Sequence, residues 1–499
     1  MGIIIRQSVK SAFWTYLGIA VGYINVGIIM PQFFDTAQMG LVQLFASVSL
    51  IFAQFGTLGF TSVINRLFPV FRNPRKYHHG FLFLTLVTGI VGFALTAAGF
   101  IILKPWIVET NIDRSPLLVD YLWLMLPLVF MRLLFTLLDN YNKMLYDTVT
   151  GTFWLEFMHK VINLFLIVLF ALGWLNFSQF FVGYILSLSL PVLPVVVVLI
   201  RRHHFSLKPQ LSFITKELHR DIRLTMSFGF VNGISHVILW NVDKVFVNQY
   251  LSLSEVGIFG VCVMYATLIR VPYVSISRIA GSIIAEAWKR DDRAHIREIY
   301  QKAALNQAII GTLFFVGLLA NLDNIFQILP PGYQTGKWVL IIYSAGMLIN
   351  TIIGLAGNIT ETSKHYRFTT FFLVLSIGIQ FGLSMLLVPP FGIIGAALAT
   401  TITVILNSGF QAVLQRMVYG IHGVTGKLLW VFVAGGLGYG VSLLLPQLPL
   451  IADILLRSAL LTVVFTVIIY LLKLSPDFNT LLSARYHSIA RLFSPGGKK

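Results

Sequence analysis

The run Asn241-Val-Asp-Lys-Val-Phe-Val-Asn-Gln-Tyr-Leu-Ser-Leu-Ser-Glu-Val-Gly-Ile-Phe-Gly260 decides how this chain is read. It sets Asp243 and Lys244 side by side within an apolar helix, turns sharply, and starts a second apolar helix at Glu255-Val256-Gly257. A weaker copy lies 217 positions earlier, with Gln32-Phe-Phe-Asp-Thr-Ala-Gln-Met-Gly-Leu41 against Gln249-Tyr-Leu-Ser-Leu-Ser-Glu-Val-Gly-Ile258. Two copies of one helix–turn–helix describe a chain built by duplication. Charges held among apolar residues point to transport.

Outward from this run, the composition is that of a chain dissolved in lipid. Of 499 residues, 57% are hydrophobic and 11% charged, where a soluble domain carries roughly 25% charge. Apolar stretches long enough to cross a hydrocarbon core of about 30 Å recur throughout. They lie near 12–31, 39–65, 80–103, 117–140, 148–172, 178–200, 224–249, 255–280, 300–320, 336–360, 367–388, 392–415, 427–446 and 452–472. The expectation is an all-α integral membrane protein of about fourteen transmembrane helices. The first span is too long, and lacks the small-residue site, to be a cleavable signal peptide.

The net charge of +17 is a matter of orientation. Of 36 Lys and Arg, 28 fall on one side of the spans, with both termini, and four (Lys104, Arg114, Lys337, Arg457) on the other. The basic side is expected to be cytoplasmic, so both termini are too. Such a distribution fits contact with lipid headgroups and argues against a nucleic-acid partner. The single cysteine, Cys262, lies in a span and excludes structural disulfides.

The duplicated signature divides the chain into a first lobe of six spans, 1–205, and a second, 206–425. The two are parallel repeats related by an axis along the membrane normal. Residues 426–474 add two spans, and 475–499 read as a cytoplasmic amphipathic tail in which Phe478, Leu481, Leu482, Ile489, Leu492 and Phe493 alternate with Arg485, His487 and Arg491. The outer loops hold at most about 15 residues, too few for a catalytic domain, and the expectation is a protein that is not an enzyme.

Ionisable residues inside spans mark cavities or pairs. In the fourth span Arg132, Thr136 and Asp139 form one stripe. In the fifth, Glu156, Lys160 and Asn163 repeat the pattern with His159 beside them. The two stripes either face each other or neutralise themselves through Glu156–Lys160 and an Arg132–Asp139 bridge. In the seventh, Asn232, His236 and Asp243 share a helical face. In the eighth, Arg270 lies near mid-membrane, on one face with Tyr273 and Ser277. It asks for an anion or for a bridge to Asp243, and its planar fork suits phosphate oxygens. Glycine pairs at four-residue spacing, Gly18/Gly22, Gly229/Gly233 and Gly436/Gly440, are expected to pack helices closely. Gly332-Tyr-Gln-Thr-Gly-Lys337 lacks the spacing of a P-loop, and no zinc-protease or serine-hydrolase motif occurs. An ATPase is excluded, and no cofactor or metal is expected beyond a coupling ion, H+ or Na+.

The segment Asp243-Lys244 … Tyr250-Leu251 … Glu255-Val256-Gly257-Ile258-Phe259 resembles the helix-seven-to-eight signature of bacterial polysaccharide flippases of the O-antigen and capsule type, within the MOP exporter superfamily. Val9-Lys-Ser-Ala-Phe-Trp-Thr-Tyr16, Gly332-Tyr333 and Pro390-Phe-Gly-Ile-Ile-Gly-Ala-Ala-Leu-Ala-Thr400 agree in order and spacing over about 1–420. The resemblance implies two six-helix lobes in a V around a central cavity, plus two extra C-terminal helices, rocking between inward- and outward-open states. The implied substrate is undecaprenyl pyrophosphate bearing an oligosaccharide, moved across a bacterial cytoplasmic membrane by a monomer. A polysaccharide polymerase and glycosyltransferases would be its partners. Arg270, Arg132, Lys160 and Lys244 would form a cationic lining for the pyrophosphate, and Asp243, Glu156, Asp139 and His236 would couple an ion. Two rivals share the architecture. Lipid II flippases also have fourteen spans and cavity arginines, while multidrug antiporters usually have twelve and acid-dominated cavities.

Overall fold

The computed structural model describes residues 2–446 and 448–480. It is 86% helical, and the described residues hold no strand. Among the described residues, twelve helices are long and apolar enough to cross a membrane: the chain is an all-α, multi-pass membrane protein. The longest of the twelve, Arg367–Tyr419, has 53 residues, about 80 Å if straight. It is not straight. Pro389 and Pro390 precede Gly392, whose φ is +59°, and a Cβ on Gly395 would lie 2.0 Å from the Leu387 carbonyl oxygen. Residues eight apart in a continuous helix are about 12 Å apart, so the chain doubles back here and crosses twice. With the shorter apolar helix Lys427–Leu443, the described residues supply the fourteen apolar segments read from the sequence.

The chain forms two compact units. The first comprises Met1–Val261 and Ile377–Ala396. It holds α1 (Gly2–Tyr23), α2 (Thr36–Gly56), α3 (Phe60–Phe71), α4 (Phe81–Asn111), α5 (Met125–Met144), α6 (His159–Ala171), α7 (Phe177–Ser189), α8 (Lys216–Leu239), α9 (Val242–Tyr250) and the start of α10 (Leu253–Thr267). Phe68, Phe81 and Tyr141 lie at its core, fully buried, with ring centroids 5.3 to 6.2 Å apart.

The copied turn has a plain cause. Asp35 accepts the Gln38 N–H at 2.7 Å and the Gln38 side chain accepts the Asp35 N–H at 3.2 Å, a reciprocal capping box at the start of α2. In the second copy Ser252 and Glu255 hold the equivalent positions, and Ser252 Oγ accepts the Glu255 N–H at 3.4 Å. Ser115 Oγ accepts the Leu253 N–H at 3.2 Å and donates to Asn248, which donates in turn to Asn111 at 2.7 Å. Asp35→Ala is expected to cost about 1 kcal/mol, read as a lower unfolding temperature with insertion unchanged.

Between α8 and α9 the structure differs from the sequence reading. The helix ends at Leu239, Trp240–Asn241 form a break, and α9 starts at Val242. Asn232 and His236 lie on an exposed face while Asp243 is 1% exposed, so the three do not share one face: an eleven-residue spacing holds only along an unbroken helix. α8 crosses the α2–α3 turn closely. Gly59 has φ +76° and a Cβ there would meet the Met226 carbonyl oxygen at 2.2 Å, so both conformation and space demand glycine. Gly229 and Gly233 do pack closely, against Ser62 and Gln54.

The second unit comprises Cys262–Ser376 and Ala397–Lys499. It continues α10 and adds α11 (Val271–Lys289), α12 (Arg293–Ala320), α13 (Lys337–Ile353), α14 (Leu355–Thr362), the end of α15 (Arg367–Tyr419), α16 (Lys427–Leu443) and α17 (Leu450–Leu471). Gly436 and Gly440 face open space, against expectation. The packing glycines are Gly435, on Thr312 and Val316, and Gly438, on Leu461 and Phe465, because a three-residue step keeps both on the buried stripe.

α17 and the segment that follows it are tied to α12 and its surroundings at two levels. At one, Asp453 and Arg457 form a two-bonded pair at 2.8 and 2.9 Å; Asn324 donates to Asp453 at 2.6 Å, Arg457 donates to the Ser442 carbonyl at 2.7 Å, and Asn321 donates to Ser458. At the other, Ser475 donates to Asn306 at 2.7 Å, and Asn306 donates to Asp477 at 3.2 Å. Of the tail, residues 481–499 lie outside the described residues, and the amphipathic reading of Leu481 to Phe493 lies there with them.

Candidate functional site

In the first unit the polar residues of spans one, four and five converge. α1 runs into a π-helical turn, Ile24–Ile29, and a second such turn, Phe153–Met158, leads into α6. Turns of this kind widen a helix by one residue and are frequent at functional sites. The two helices touch through glycine: a Cβ on Gly18 would fall 1.9 Å from the Glu156 carbonyl oxygen, and one on Gly22 3.2 Å from the Lys160 side chain. Asn25, in the first π turn, donates to the Lys160 carbonyl at 2.7 Å. Glu156, in the second, meets Lys160 Nζ at 3.3 Å with both side chains partly open.

Around this pair stand His159, within electrostatic range of Lys160 and Arg132, and Arg132, which donates to the Ala46 carbonyl at 2.9 Å beside Tyr184. Oxygen atoms of Asn25 and Asn163 are buried without a hydrogen-bond partner, an arrangement that water or a ligand completes. The structure therefore brings together Arg132, Glu156, His159 and Lys160. It does not join Arg132 to Asp139. Asp139 binds Lys143 at 2.6 Å, one turn along its own helix, and lies against Gly151, where a Cβ would be 1.8 Å from its carboxylate.

Asp243 and Lys244 form a separate buried pair. The Lys244 N–H donates to Asp243 Oδ1 at 2.8 Å, and its Nζ lies 3.7 Å from the same oxygen, with side chains 0% and 10% exposed. Asp243 sits in the first turn of α9, where the helix dipole favours an anion. The pair thus neutralises itself locally, and the second carboxylate oxygen is buried without a hydrogen-bond partner. His236 lies apart, on the exposed face of α8.

In the second unit, Arg270 does not lie inside a regular helix. Leu268–Arg270 is a 3-10 turn between α10 and α11, with Pro272 at the second position of α11. Tyr273 and Tyr343 lie within electrostatic range of its guanidinium, and Glu361 within that of Tyr273. Tyr273 donates to the Gly354 carbonyl at 3.1 Å, at the break between α13 and α14, and Tyr300 donates to the Ile353 carbonyl at 3.0 Å. Asn358 donates to the Ser277 carbonyl at 3.0 Å. Two interrupted helices with an arginine and three tyrosines at the interruption make a polar station within apolar surroundings, the arrangement that intramembrane substrate sites use. Tyr343 and Glu361 are additions to the sequence reading. Pro272 and Gly354, each beside a break, were the available signals. Among the described residues no group of three or more metal-ligating side chains occurs.

No protein-family model and no curated protein matches the chain. Solved structures do. A lipid II flippase, MurJ, in an inward-closed conformation aligns over 94% of this chain and 98% of its own, with a TM-score of 0.74 at 14% identity. A multidrug resistance MATE family transporter of the MOP superfamily, facing inward, aligns over 81% and 94%, with 0.60 at 15%. A MOP superfamily transporter from Pyrococcus furiosus, described by a binding pocket of reversed polarity, aligns over 83% and 95%, with 0.56 at 14%. The chain has the fold that these flippases and transporters share.

Proposed function

We propose that the protein is a flippase that moves undecaprenyl-pyrophosphate-linked oligosaccharide units from the inner to the outer leaflet of a bacterial cytoplasmic membrane. Transport is driven by an ion gradient or the membrane potential, through alternating access of the two repeats, 1–205 and 206–425. One observation carries the reading. Among the described residues, the four intramembrane cations Arg132, Lys160, Lys244 and Arg270 stand with three carboxylates, Glu156, Asp243 and Glu361, since Asp139 is already held by Lys143. A surplus of intramembrane cation suits a polyanion such as a pyrophosphate and repels a cationic drug. Arg270 and Arg132 are the principal phosphate ligands in this reading, and Glu156, beside Lys160, is the leading ion-coupling carboxylate. Asp243 and Asp139 are secondary, each held by a lysine, and so is His236.

In this proposal the basic face is cytoplasmic, membrane lipids and the assembly enzymes of a surface polysaccharide are the partners, and the chain does no covalent chemistry. A lipid II flippase is the second reading, supported by the likeness to MurJ over almost the whole chain. Both substrates present a polyprenyl pyrophosphate with sugars, so the cation surplus supports either.

The test is reconstitution in vesicles with each lipid-linked substrate, read as substrate reaching the far leaflet. Flipping of the oligosaccharide lipid that stops when the gradient or potential is dissipated, with ATP supplied, is the expected result. Undiminished flipping without a gradient removes secondary transport. Flipping of lipid II alone selects the second reading.

A further inference from the structure

The segment after the sixth span of each repeat folds back onto the start of that repeat's third span. In the second unit Arg297 donates to the Gly420 carbonyl at 2.8 Å, and Gln301 Nε2 lies 3.4 Å from His422 Nδ1. In the first unit this segment is the linker between the repeats, Arg202 to Thr215, and it grips the 3-10 turn Pro74–Gly80. Tyr77, His78 and His79 have φ of +48°, +52° and +51°, and Gly80 has +72°. Successive left-handed residues are costly for any side chain with a Cβ, so something has to hold the turn. The linker does. His79 stacks on Phe213 with ring centroids 3.9 Å apart, and Gln210 donates to the Lys76 carbonyl at 3.3 Å. At the centre His78 Nε2 meets His204 Nδ1 at 3.2 Å, with His78 1% exposed beside Phe68 and Tyr141.

Such a contact holds only while one imidazole donates and the other accepts. Around it stand Arg72 from the end of α3, His79 from the turn, Tyr141 from α5, and Arg202 and His203 from the linker. Asp147 is taken up by Arg202 at 2.9 Å. The second nitrogen of His78, Nδ1, is buried without a hydrogen-bond partner, so a proton placed there finds no acceptor. We infer that the His78–His204 contact is a proton-operated clasp: neutral, it fastens the linker between the repeats to the first unit, and protonation of either ring releases it. Burial first, then His204, Arg72 and His79, hold the clasped His78 imidazole down at about 4. Burial, with Arg202 and His203, lowers that of His204. A freed imidazole titrates near about 6.5. The clasp therefore contributes in full above that pH and is lost as pH falls from there toward about 4. Fastened at Phe213, the linker leaves Ile214 and Thr215 as the tether to α8; released, it is free from Arg202 onward. Release lengthens the connection across which the repeats move in the proposed alternating access, while the clasp itself depends on no particular substrate.

In the test, Cys262 is replaced by alanine, and the exposed Leu207 of the linker by a spin-labelled cysteine, in the full chain held in lipid nanodiscs. The label is expected to pass reversibly from a restricted to a mobile spectrum between about pH 7.5 and about pH 5. His204→Ala is expected to be mobile throughout. His78→Gln with His204→Gln keeps a donor and an acceptor without a titrating group, and is expected to stay restricted. A wild-type spectrum unchanged to the acid end overturns the clasp, as does a double variant released at the wild-type pH. Should the two amides fail to pair, the wild-type titration and His204→Ala decide. In vesicles, the ratio of wild-type to double-variant transport is expected to rise about twofold as the linker side is acidified over the same range. Any proton coupling is common to both chains, so a constant ratio overturns the effect on movement. A chain that shows the spectral transition yet moves no pyrophosphate lipid sinks the substrate reading and leaves the clasp standing.

Discussion

Arg270→Ala is expected to abolish transport while membrane insertion and abundance stay at the wild-type level, and Arg270→Lys to keep part of the activity. The guanidinium stands at a 3-10 turn between two helices, in the field of Tyr273 and Tyr343, where little water screens it. A charge-assisted hydrogen bond in such surroundings contributes about 1.5–3 kcal/mol. Two such bonds to one phosphate group amount to roughly a hundredfold loss or more when removed together. Lysine restores the charge as a point and loses the planar fork, so an intermediate rate separates phosphate recognition from simple charge. Transport by vesicles loaded with equal amounts of each variant is the measurement. Normal transport by a well-expressed Arg270→Ala protein would remove Arg270 from the site.

The second large effect concerns stability. Asp453→Ala is expected to destabilise the second unit by about 3 kcal/mol, the low end for removing one partner of a buried ion pair. The loss comes chiefly from what remains: Arg457, 9% exposed, would keep its bond to the Ser442 carbonyl and lose both bonds to the carboxylate. Asn324 would lose its acceptor as well. The double replacement Asp453→Leu with Arg457→Met removes charge and counter-charge together and is expected to recover most of the stability. Thermal unfolding in detergent reads both, and a double variant as unstable as Asp453→Ala would contradict the account.

The spans were legible because hydropathy over about 20 residues is a direct consequence of the solvent. Interruptions were not, since a 3-10 turn at Leu268–Arg270 or a π turn at Phe153–Met158 changes hydrogen bonding without changing how apolar the segment is. For the same reason the stripe from Asn232 to Asp243 failed, the break at Trp240–Asn241 being written in no single residue. The Arg132–His159–Lys160 neighbourhood was legible from spacing. The partner of Asp139 was present at four-residue spacing in Lys143, but that lysine read as lying outside the span. The repeated turn was legible as a copy at 32–41 and 249–258, while the contact between the copies joins residues 217 positions apart that only the folded chain brings together.

The two-level attachment of α17 has a mechanical consequence. Asn306 on α12 and Asn321 at its C-terminal cap are 15 residues apart, about 22 Å along the axis. α17 is fastened at one of these points and the segment that follows it, Ser475 to Asp477, at the other, which restrains pivoting and sliding together. α17, with α16 joined to it through the Ser442 carbonyl, acts as a splint along α12 and stiffens it against bending. Shortening the chain before residue 475 would leave that splint fastened at one end, and bending of α12 would then meet less resistance.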